Sequence, residues 1–320
     1  MLRFIGRRLV SYVAMLFVAT SATYFLASWF LDPRSNYIAM RPRPSDASID
    51  RSLTAANIND ETSLLERYGE WVKGIVFNLD FGKSPQGEPI NDVLWHRALV
   101  SLELVTIATV LAILIGVSVG VATAIRKYSL YDRVANGVSV LFLVTPTFVI
   151  GLIVALVYLR FHKATGMNPL FVTGPIDGGI VDFFRYIALP TLTLTLAGYV
   201  SYHFTQRTYL LDTINDDYVR TARAKGLRKN VAIRRHALRT SLIPTAMGVA
   251  LSITTIVTGS VFVEKIFSIN GAGYYFIDTL SKNDINGTVA VAFLGGVATC
   301  AGLLLADVVI AMLDPRVRIS

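Results

Sequence analysis

Hydrophobic residues along this chain are grouped in long runs that shorter polar segments separate. A helix needs about 20 mostly apolar residues to cross a bilayer, and non-helical backbone would leave its polar groups without partners in lipid. We therefore interpret each long run as a membrane-spanning helix. The six runs cover residues 9–31, 99–125, 134–159, 186–210, 243–263 and 288–313. The pattern predicts an all-α polytopic membrane protein with six transmembrane helices.

The distribution of Lys and Arg predicts how these helices are oriented. Three, three, eight and two of these residues lie in segments 1–8, 126–133, 211–242 and 314–320, whereas 32–97 holds eight bases and ten acids. Cytoplasmic loops carry the excess of Lys and Arg, so we expect both termini inside. The first run, which follows MLRFIGRR, is longer than the apolar part of a cleaved signal peptide, so we expect it to remain as the first span.

This topology divides the chain into four parts. Residues 1–31 are the N-terminal tail and first helix, and 32–97 form an extracytoplasmic segment. Residues 98–313 form a five-helix transmembrane core that includes a cytoplasmic loop at 212–242, and 314–320 are a cytoplasmic tail.

The extracytoplasmic segment is predicted to contain one amphipathic helix. PRSNYIAMRPRPSDAS is Pro-rich and polar, and we expect it to be irregular, while LDFGKSPQGEPI reads as extended and turn-rich. Between them, Leu64, Tyr68, Trp71 and Ile75 recur at the spacing of one helical face. We expect this helix to lie on the membrane surface or on the outer ends of the spans. A structural cap and a surface that receives a delivery protein are both consistent with this pattern.

Composition argues against several classes of function. The chain is 53% hydrophobic and 16% charged, against about a quarter charged in soluble domains. Its single cysteine, Cys300, excludes an internal disulfide framework. The Gly82-Lys83-Ser84 sequence lacks the glycine that a phosphate-binding loop needs five positions earlier, where Phe77 stands. HExxH and CxxC motifs are absent, so we expect no catalytic residue, no metal and no cofactor bound by this chain.

Ionisable residues and prolines within the spans leave their roles open. Glu103, His203 and Asp307 fall in or near predicted spans, where such residues are costly and face a protein interior or a water path. For Asp307, a structural pairing at the cytoplasmic boundary competes with a role in reading substrate or protons. Pro146 and Pro190 are expected to kink the third and fourth spans, as packing features or as hinges.

The densest charge lies in the stretch 218–244, YVRTARAKGLRKNVAIRRHALRTSLIP, which holds eight Lys or Arg and no acid. Asp216 and Asp217 precede it, as suits a helix N-terminus, and Gly226 fits a helix C-terminus. We predict a second helical segment over 229–242 and expect Pro244 to begin the fifth span. Two short helices would then meet at a glycine. An ordinary loop lying on anionic lipid explains the charge but not the glycine and proline, and nucleic acid is a poorer explanation because no DNA-binding fold accompanies the patch.

This stretch resembles the EAA loop of ABC importer permeases, whose pattern is Glu-Ala-Ala, a nearby Gly, and Leu-Pro or Ile-Pro further on. The corresponding residues here are Arg220-Thr221-Ala222, Gly226, Ile233 and Ile243-Pro244. Arg220 replaces the Glu and Thr221 the first Ala. YVRTARAKGL, RHALR and LIP are similar to the peptide-permease branch, as are LDFGKSPQGEPI, LADVVIAMLDPRVR and VFVEKIFSINGAGYYFIDTL, in which Asn270 stands where Pro is more usual. The long segment after the first span suggests the first of the two permease subunits.

The resemblance implies an ABC type I importer permease fold and a set of partners. The loop would form a coupling helix that docks in a groove of an ATP-binding cassette subunit. The coupling positions that it assigns are Arg220, Thr221, Ala222, Ala224, Gly226, Leu227, His236, Leu238 and Pro244. A second homologous permease, two ABC ATPases holding ATP and Mg, an extracytoplasmic substrate-binding protein and the lipid bilayer of a bacterial or archaeal cytoplasmic membrane complete the system.

The substrate that the resemblance implies is an oligo- or dipeptide, with nickel or another small solute as the alternative. The sequence names no substrate-contacting residue. A secondary transporter working without ATP would show repeats and intramembrane charge, and no convincing repeat relates the two halves. A membrane-embedded enzyme would need catalytic side chains clustered at one depth, and the sequence offers none.

Overall fold

The computed structural model describes residues 2–38, 40–172, 179–252 and 260–313, and these are mostly helical, with one isolated bridge between Lys83 and Pro89. A 3₁₀ helix spans Pro33–Tyr37, and two π-turns span Gly74–Asn78 and Ile233–Ala237. The α-helices of the described part are α1 (Leu2–Phe30), α2 (Asp46–Ala55), α3 (Leu64–Lys73), α4 (Ile90–Ile125), α5 (Leu130–Val144), α6 (Thr147–Thr165), α7 (Ile180–Thr213), α8 (Asp217–Ala224), α9 (Lys229–Ala232), α10 (Leu238–Ser252), α11 (Val261–Ile266), α12 (Ala272–Ser281) and α13 (Ile285–Leu313).

Five helical stretches among the described residues are long and apolar enough to cross a membrane. They are Ile5–Phe30, Ile90–Ile125, Thr147–Thr165, Ile180–Thr213 and Ile285–Val308. Four of them, all except Thr147–Thr165, contain most of the predicted spans at 9–31, 99–125, 186–210 and 288–313. The expectation of long apolar helices is confirmed at these four places, with Pro190 lying inside α7.

The predicted span at 134–159 is wrong as a single helix. α5 ends at Val144, Thr145 is extended with φ −89° and ψ 121°, and α6 begins after Pro146. A proline disfavours the helical conformation of the residue before it, and its missing N–H is harmless only at a helix start. Pro146 therefore ends one helix and begins another instead of kinking a single helix. Of these two helices, α6 is long and apolar enough to cross a membrane, and α5 is not among the candidate spans.

The predicted span at 243–263 is described only at its two ends. α10 runs to Ser252 and α11 begins at Val261, while 253–259 lie outside the described residues. This span stays a prediction. Pro244 does not begin the helix that enters this region: the proline lies inside α10, whose first residue is Leu238.

One compact unit comprises Met1–Leu102, Thr254–Lys265 and Ile269–Ala301, and it contains the predicted amphipathic helix. Trp71 of α3 is buried, and its ring centroid lies 5.0 Å from that of Tyr24 on α1. Leu64, Tyr68 and Ile75 pack half-buried against the same cluster. The helix and its apolar face are thus confirmed, and the face contacts protein. The stretch predicted to be irregular holds the 3₁₀ helix and the start of α2.

The other unit comprises Glu103–Ile253, Ile266–Ser268 and Gly302–Ser320, and α7 packs there against α4 through two glycines. A Cβ atom at Gly116 would lie 2.5 Å from the carbonyl oxygen of Tyr199, and one at Gly120 would lie 2.7 Å from that of His203. Small residues allow helices in membranes to approach this closely. The glycines therefore set the distance between α4 and α7.

His203 of α7 is fully buried in this packing. Its Nδ1 lies 2.7 Å from Ser139 Oγ, and its Nε2 lies 3.2 Å from Thr123 Oγ1. Both ring nitrogens thus have partners within the unit, which favours a structural role. Glu103 is exposed and Asp307 half-buried.

A candidate coupling site on the basic loop

α8 ends in a glycine-dependent cap at the position that the sequence predicts. The Gly226 N–H donates to the Arg223 carbonyl at 3.0 Å, and the Leu227 N–H donates to the Ala222 carbonyl at 3.3 Å. This pair of bonds is the Schellman pattern, which needs a left-handed residue just past the helix. Gly226 supplies it with φ +92°. The predicted C-terminus of the first short helix is confirmed.

The second helical segment is confirmed but is not short. α9 begins at Lys229, passes through the π-turn Ile233–Ala237 and continues as α10 to Ser252. One extra residue in a helical turn widens the helix locally, and such π-turns are frequent at functional sites. The loop therefore consists of one short helix, α8, joined through Gly226 to the extended end of α10.

The inner face of the loop is an apolar cluster. Its buried members are Ala124, Leu210, Val219, Ala222, Ala232, Ile233 and Ala237. They come from the end of α4, the end of α7, α8, and the segment that leads into α10. Leu227, the residue after the glycine, packs half-buried against them. Burial of this apolar surface holds α8 against the ends of α4 and α7.

The outer face of the loop is basic and exposed. All eight Lys and Arg of the stretch are exposed, namely Arg220, Arg223, Lys225, Arg228, Lys229, Arg234, Arg235 and Arg239. Arg220 lies 3.9 Å from Asp217 in a solvent-exposed pair, which adds little to stability. The charge therefore faces away from the apolar cluster, on a surface available to a partner.

The nine residues that the resemblance assigns divide between these faces. Arg220, Thr221, Ala224 and Gly226 are exposed on or next to α8, whereas Ala222 is buried in the cluster. His236, Leu238 and Pro244 are half-buried along the segment that continues into α10. The structure thus places four of the nine on the outer face around α8, and it makes Ala222 an internal contact.

Beneath the loop, Gln206 fastens α7 to α10. Its Nε2 donates to Ser241 Oγ at 2.9 Å, and Thr245 Oγ1 donates to its Oε1 at 2.7 Å. Gln206 is fully buried, so both amide atoms depend on these partners. We call this group of three the amide clamp. α7 and α10 flank the loop, and the clamp joins them close to it.

A second contact, between Arg207 and Asp132, fastens α7 to α5. Arg207 Nε and Nη2 donate to the two carboxylate oxygens at 3.1 and 3.2 Å. Burial raises the pKa of the Asp132 carboxyl, but hydrogen bonds from Arg207, the Tyr128 N–H and Asn136 outweigh it, so this pKa lies below its usual value. The carboxylate therefore stays ionised at neutral pH and holds Arg207 in a bidentate pair.

Sequence reasoning missed both contacts, although α7 carried a signal. Tyr199, His203, Gln206 and Leu210 recur at helical spacing, and the first three place polar groups on one face of an apolar run. Polar residues on one face of a spanning helix indicate a neighbouring helix that hydrogen-bonds to them.

Residues 73–319 match the family model described as the binding-protein-dependent transport system inner membrane component. This chain belongs to that family. The match covers α4 to α13 and includes the whole basic loop, so the family assignment and the loop geometry concern the same residues. The chain is therefore a multi-pass membrane protein and the permease component of an ABC importer, as the resemblance implied.

Relatives of this permease match most or all of its length. The oligopeptide transport system permease protein OppB of Mycobacterium tuberculosis is 39% identical over 329 residues, covering 100% of both chains. The dipeptide transport system permease protein DppB of Lactococcus lactis is 31% identical and also covers 100% of both. The oligopeptide transport system permease protein AppB of Bacillus subtilis is 31% identical over 88% of each chain.

Proposed function

We propose that this permease imports oligo- or dipeptides and couples to ATPase subunits through the loop 218–244. The observation that carries the coupling role is the two-faced loop: α8 is anchored on the apolar cluster and exposes a basic outer face. A helix held in this way moves as a body with the ends of α4 and α7 when a partner pushes it. An unanchored loop would absorb the same displacement by bending.

Two sets of contacts can transmit a displacement of α8 to the membrane-spanning helices. The apolar cluster connects α8 with α4 and α7, and the amide clamp connects α7 with α10. ATP-driven closure of two ABC ATPases beneath the permease would therefore tilt these helices together. The partner ATPases bind ATP and Mg. This chain contributes the coupling helix α8 and half of the translocation pathway.

The family and its relatives support the remaining partners of this proposal. The family description names a binding-protein-dependent system, so an extracytoplasmic substrate-binding protein delivers the solute. A second homologous permease completes the pathway in the cytoplasmic membrane of a bacterium or archaeon. The names OppB and DppB support a peptide as the solute, and nickel or another small solute is the alternative.

We expect the intact complex, purified from native membranes through a tag on this chain, to contain two ATPase subunits and a second permease. Peptide-loaded binding protein should stimulate its ATP hydrolysis severalfold, because coupling transmits substrate arrival to the ATPases. This chain purified alone should hydrolyse no ATP. Recovery of active transport from the pure chain without ATPases would contradict the coupling role, and stimulation by nickel-loaded but not peptide-loaded binding protein would contradict the peptide assignment.

The proposed topology, with residues 32–97 outside, is tested by cysteine labelling in a Cys300→Ser background. Ser52→Cys and Gln86→Cys place thiols at exposed positions of the outer segment, whereas Ser84 is buried and unsuitable. We expect both to react with an impermeant thiol reagent in intact cells. Lys225→Cys, exposed in the basic loop, is the matched control and should react only after lysis. The reverse pattern would overturn the topology.

A further inference from the structure

A cavity of ≈ 270 Å³ lies where α4 ends beside the basic loop. Its wall includes Ser118, Val121, Ile125, Arg126, Asn230 and Arg234. The first three belong to α4, whose last residue is Ile125, and the last two belong to the segment that leads into α10. None of these six is among the nine coupling positions, although Asn230 and Arg234 lie within the loop 218–244.

The lining of the cavity includes two positively charged side chains, Arg126 and Arg234. In the described part of the chain, no carboxylate lies within 4.0 Å of the guanidinium of Arg126 or Arg234. Arg126 contacts the ring of Tyr131, with its Cζ 5.5 Å from the centroid, which leaves its charge intact. The Asn230 amide and the Ser118 hydroxyl add neutral donors. This donor set suits an anion.

The lining also includes apolar side chains of α4, which is a candidate membrane span. Val121 and Ile125 are half-buried there and also pack against the apolar cluster of the loop. Leu114, which is 59% exposed, lies on the same helical face because it precedes Ser118 by four residues. An anionic group bound here would therefore have a hydrophobic strip leading away from it, at the end of a candidate span.

We propose that this cavity binds the phosphate of an anionic phospholipid. Arg126 and Arg234 donate to its oxygens, and an acyl chain lies along Val121 and Leu114. Basic pockets between helices at the cytoplasmic boundary bind such headgroups, and the charge rule assigns this boundary to the cytoplasm. A free phosphate ion would use the arginines but leave the apolar strip unused.

The proposal assigns separate tasks to the bases of the loop. Arg234 contacts lipid at the end of α4, while Arg220 and Arg223 on α8 and Lys225 just after it remain available to a protein partner. A bound lipid would bridge α4 and the segment leading into α10, since Arg126 and Arg234 come from these two elements.

Native mass spectrometry of the purified full chain tests the site, with phosphatidylglycerol titrated against phosphatidylcholine of the same acyl chains. We expect wild type to retain one phosphatidylglycerol in preference to phosphatidylcholine. Arg126→Gln/Arg234→Gln should bind it about 25-fold more weakly, from a factor of about five per basic residue. Arg223→Gln/Lys225→Gln removes the same charge from the end of α8 and the residue after it, and should bind like wild type. Arg126→Lys/Arg234→Lys keeps the charge and should recover most of the affinity.

Several outcomes would overturn the lipid site. Equal retention of the two lipids, or equal phosphatidylglycerol binding by wild type and the Arg126→Gln/Arg234→Gln variant, would exclude specific recognition. Displacement of the lipid by millimolar inorganic phosphate would assign the arginines to a free anion. Unchanged lipid binding with loss of co-purifying ATPase from the tagged complex would assign them to a protein interface.

Discussion

Gly226→Val is expected to uncouple the permease while leaving its membrane insertion intact. Gly226 has φ +92°, a conformation that costs a residue with a side chain roughly 1–2 kcal/mol and a β-branched one more. The change therefore distorts the cap that ends α8. We expect transport and substrate-stimulated ATP hydrolysis in the assembled complex to fall by about tenfold or more, since 1.36 kcal/mol corresponds to a factor of ten.

Gly166→Val provides a matched control for backbone strain. Gly166 follows α6 with φ +68°, and a Cβ atom at either glycine meets nothing within 4 Å. Within the chain, the two substitutions thus impose a similar penalty. If Gly226→Val reduces coupling more than Gly166→Val, the position of the strained residue in the loop matters, or a partner approaches Gly226 closely. Equal loss from both would contradict a special role for the loop.

Arg228→Gln/Lys229→Gln separates shape from charge at the same place. Both residues are exposed, so the double change removes two charges and leaves the left-handed glycine intact. We expect a milder loss of coupling than from Gly226→Val. An inactive double variant beside a normal Gly226→Val variant would favour a loop that only lies on anionic lipid.

Gly116→Ala/Gly120→Ala is expected to destabilise the folded chain more than any surface change. Each added methyl would lie under 3 Å from α7 atoms, the nearest being backbone carbonyl oxygens at 2.5 and 2.7 Å. Backbone cannot rotate away, so α4 and α7 must separate, and overpacking of this kind costs about 1–3 kcal/mol per site. Separation also lengthens the contact between Thr123 and His203.

Thermal unfolding of the detergent-purified chain measures this effect, and Gly137→Ala is the control. Gly137 lies within α5, where a Cβ meets nothing within 4 Å, so alanine should be neutral or slightly stabilising. We expect the double variant to unfold several degrees lower than wild type. If it does not accumulate, Gly120→Ala alone gives the comparison. A midpoint unchanged from wild type would show that α4 and α7 are not in close contact.

The long helices and the α8 cap could be predicted from sequence because their causes are local. Run length alone indicates helices such as α1 and α13, and a glycine after a short helical stretch indicates the Schellman cap at Gly226. The amphipathic helix α3 was predicted from four apolar positions at helical spacing, since a period of 3.6 residues is itself a local property. Each of these features depends on residues close together in the chain.

The break at Pro146 and the fastening of α7 could not be predicted in the same way. A proline inside an apolar run kinks a helix or ends it, depending on whether neighbouring groups can satisfy the freed backbone. The partners of Gln206 and Arg207 lie 35 to 75 residues away in the chain. Their identity depends on how the helices pack. The burial of Ala222 also depends on helix packing, so the linear sequence of the loop does not indicate it.

The amide clamp has a consequence for how the importer responds to ionic strength. Gln206, Ser241 and Thr245 are neutral, and they are buried away from dissolved ions. The basic outer face of the loop is exposed, and interactions between exposed charges are screened beyond about 10 Å at 0.1 M salt. Added salt should therefore weaken attraction between the loop and an acidic partner without loosening the connection from α7 to α10. In the proposed complex, the salt concentration of the cytoplasm therefore changes how tightly the loop binds the ATPase. It does not change how far α7 and α10 move together after each docking event.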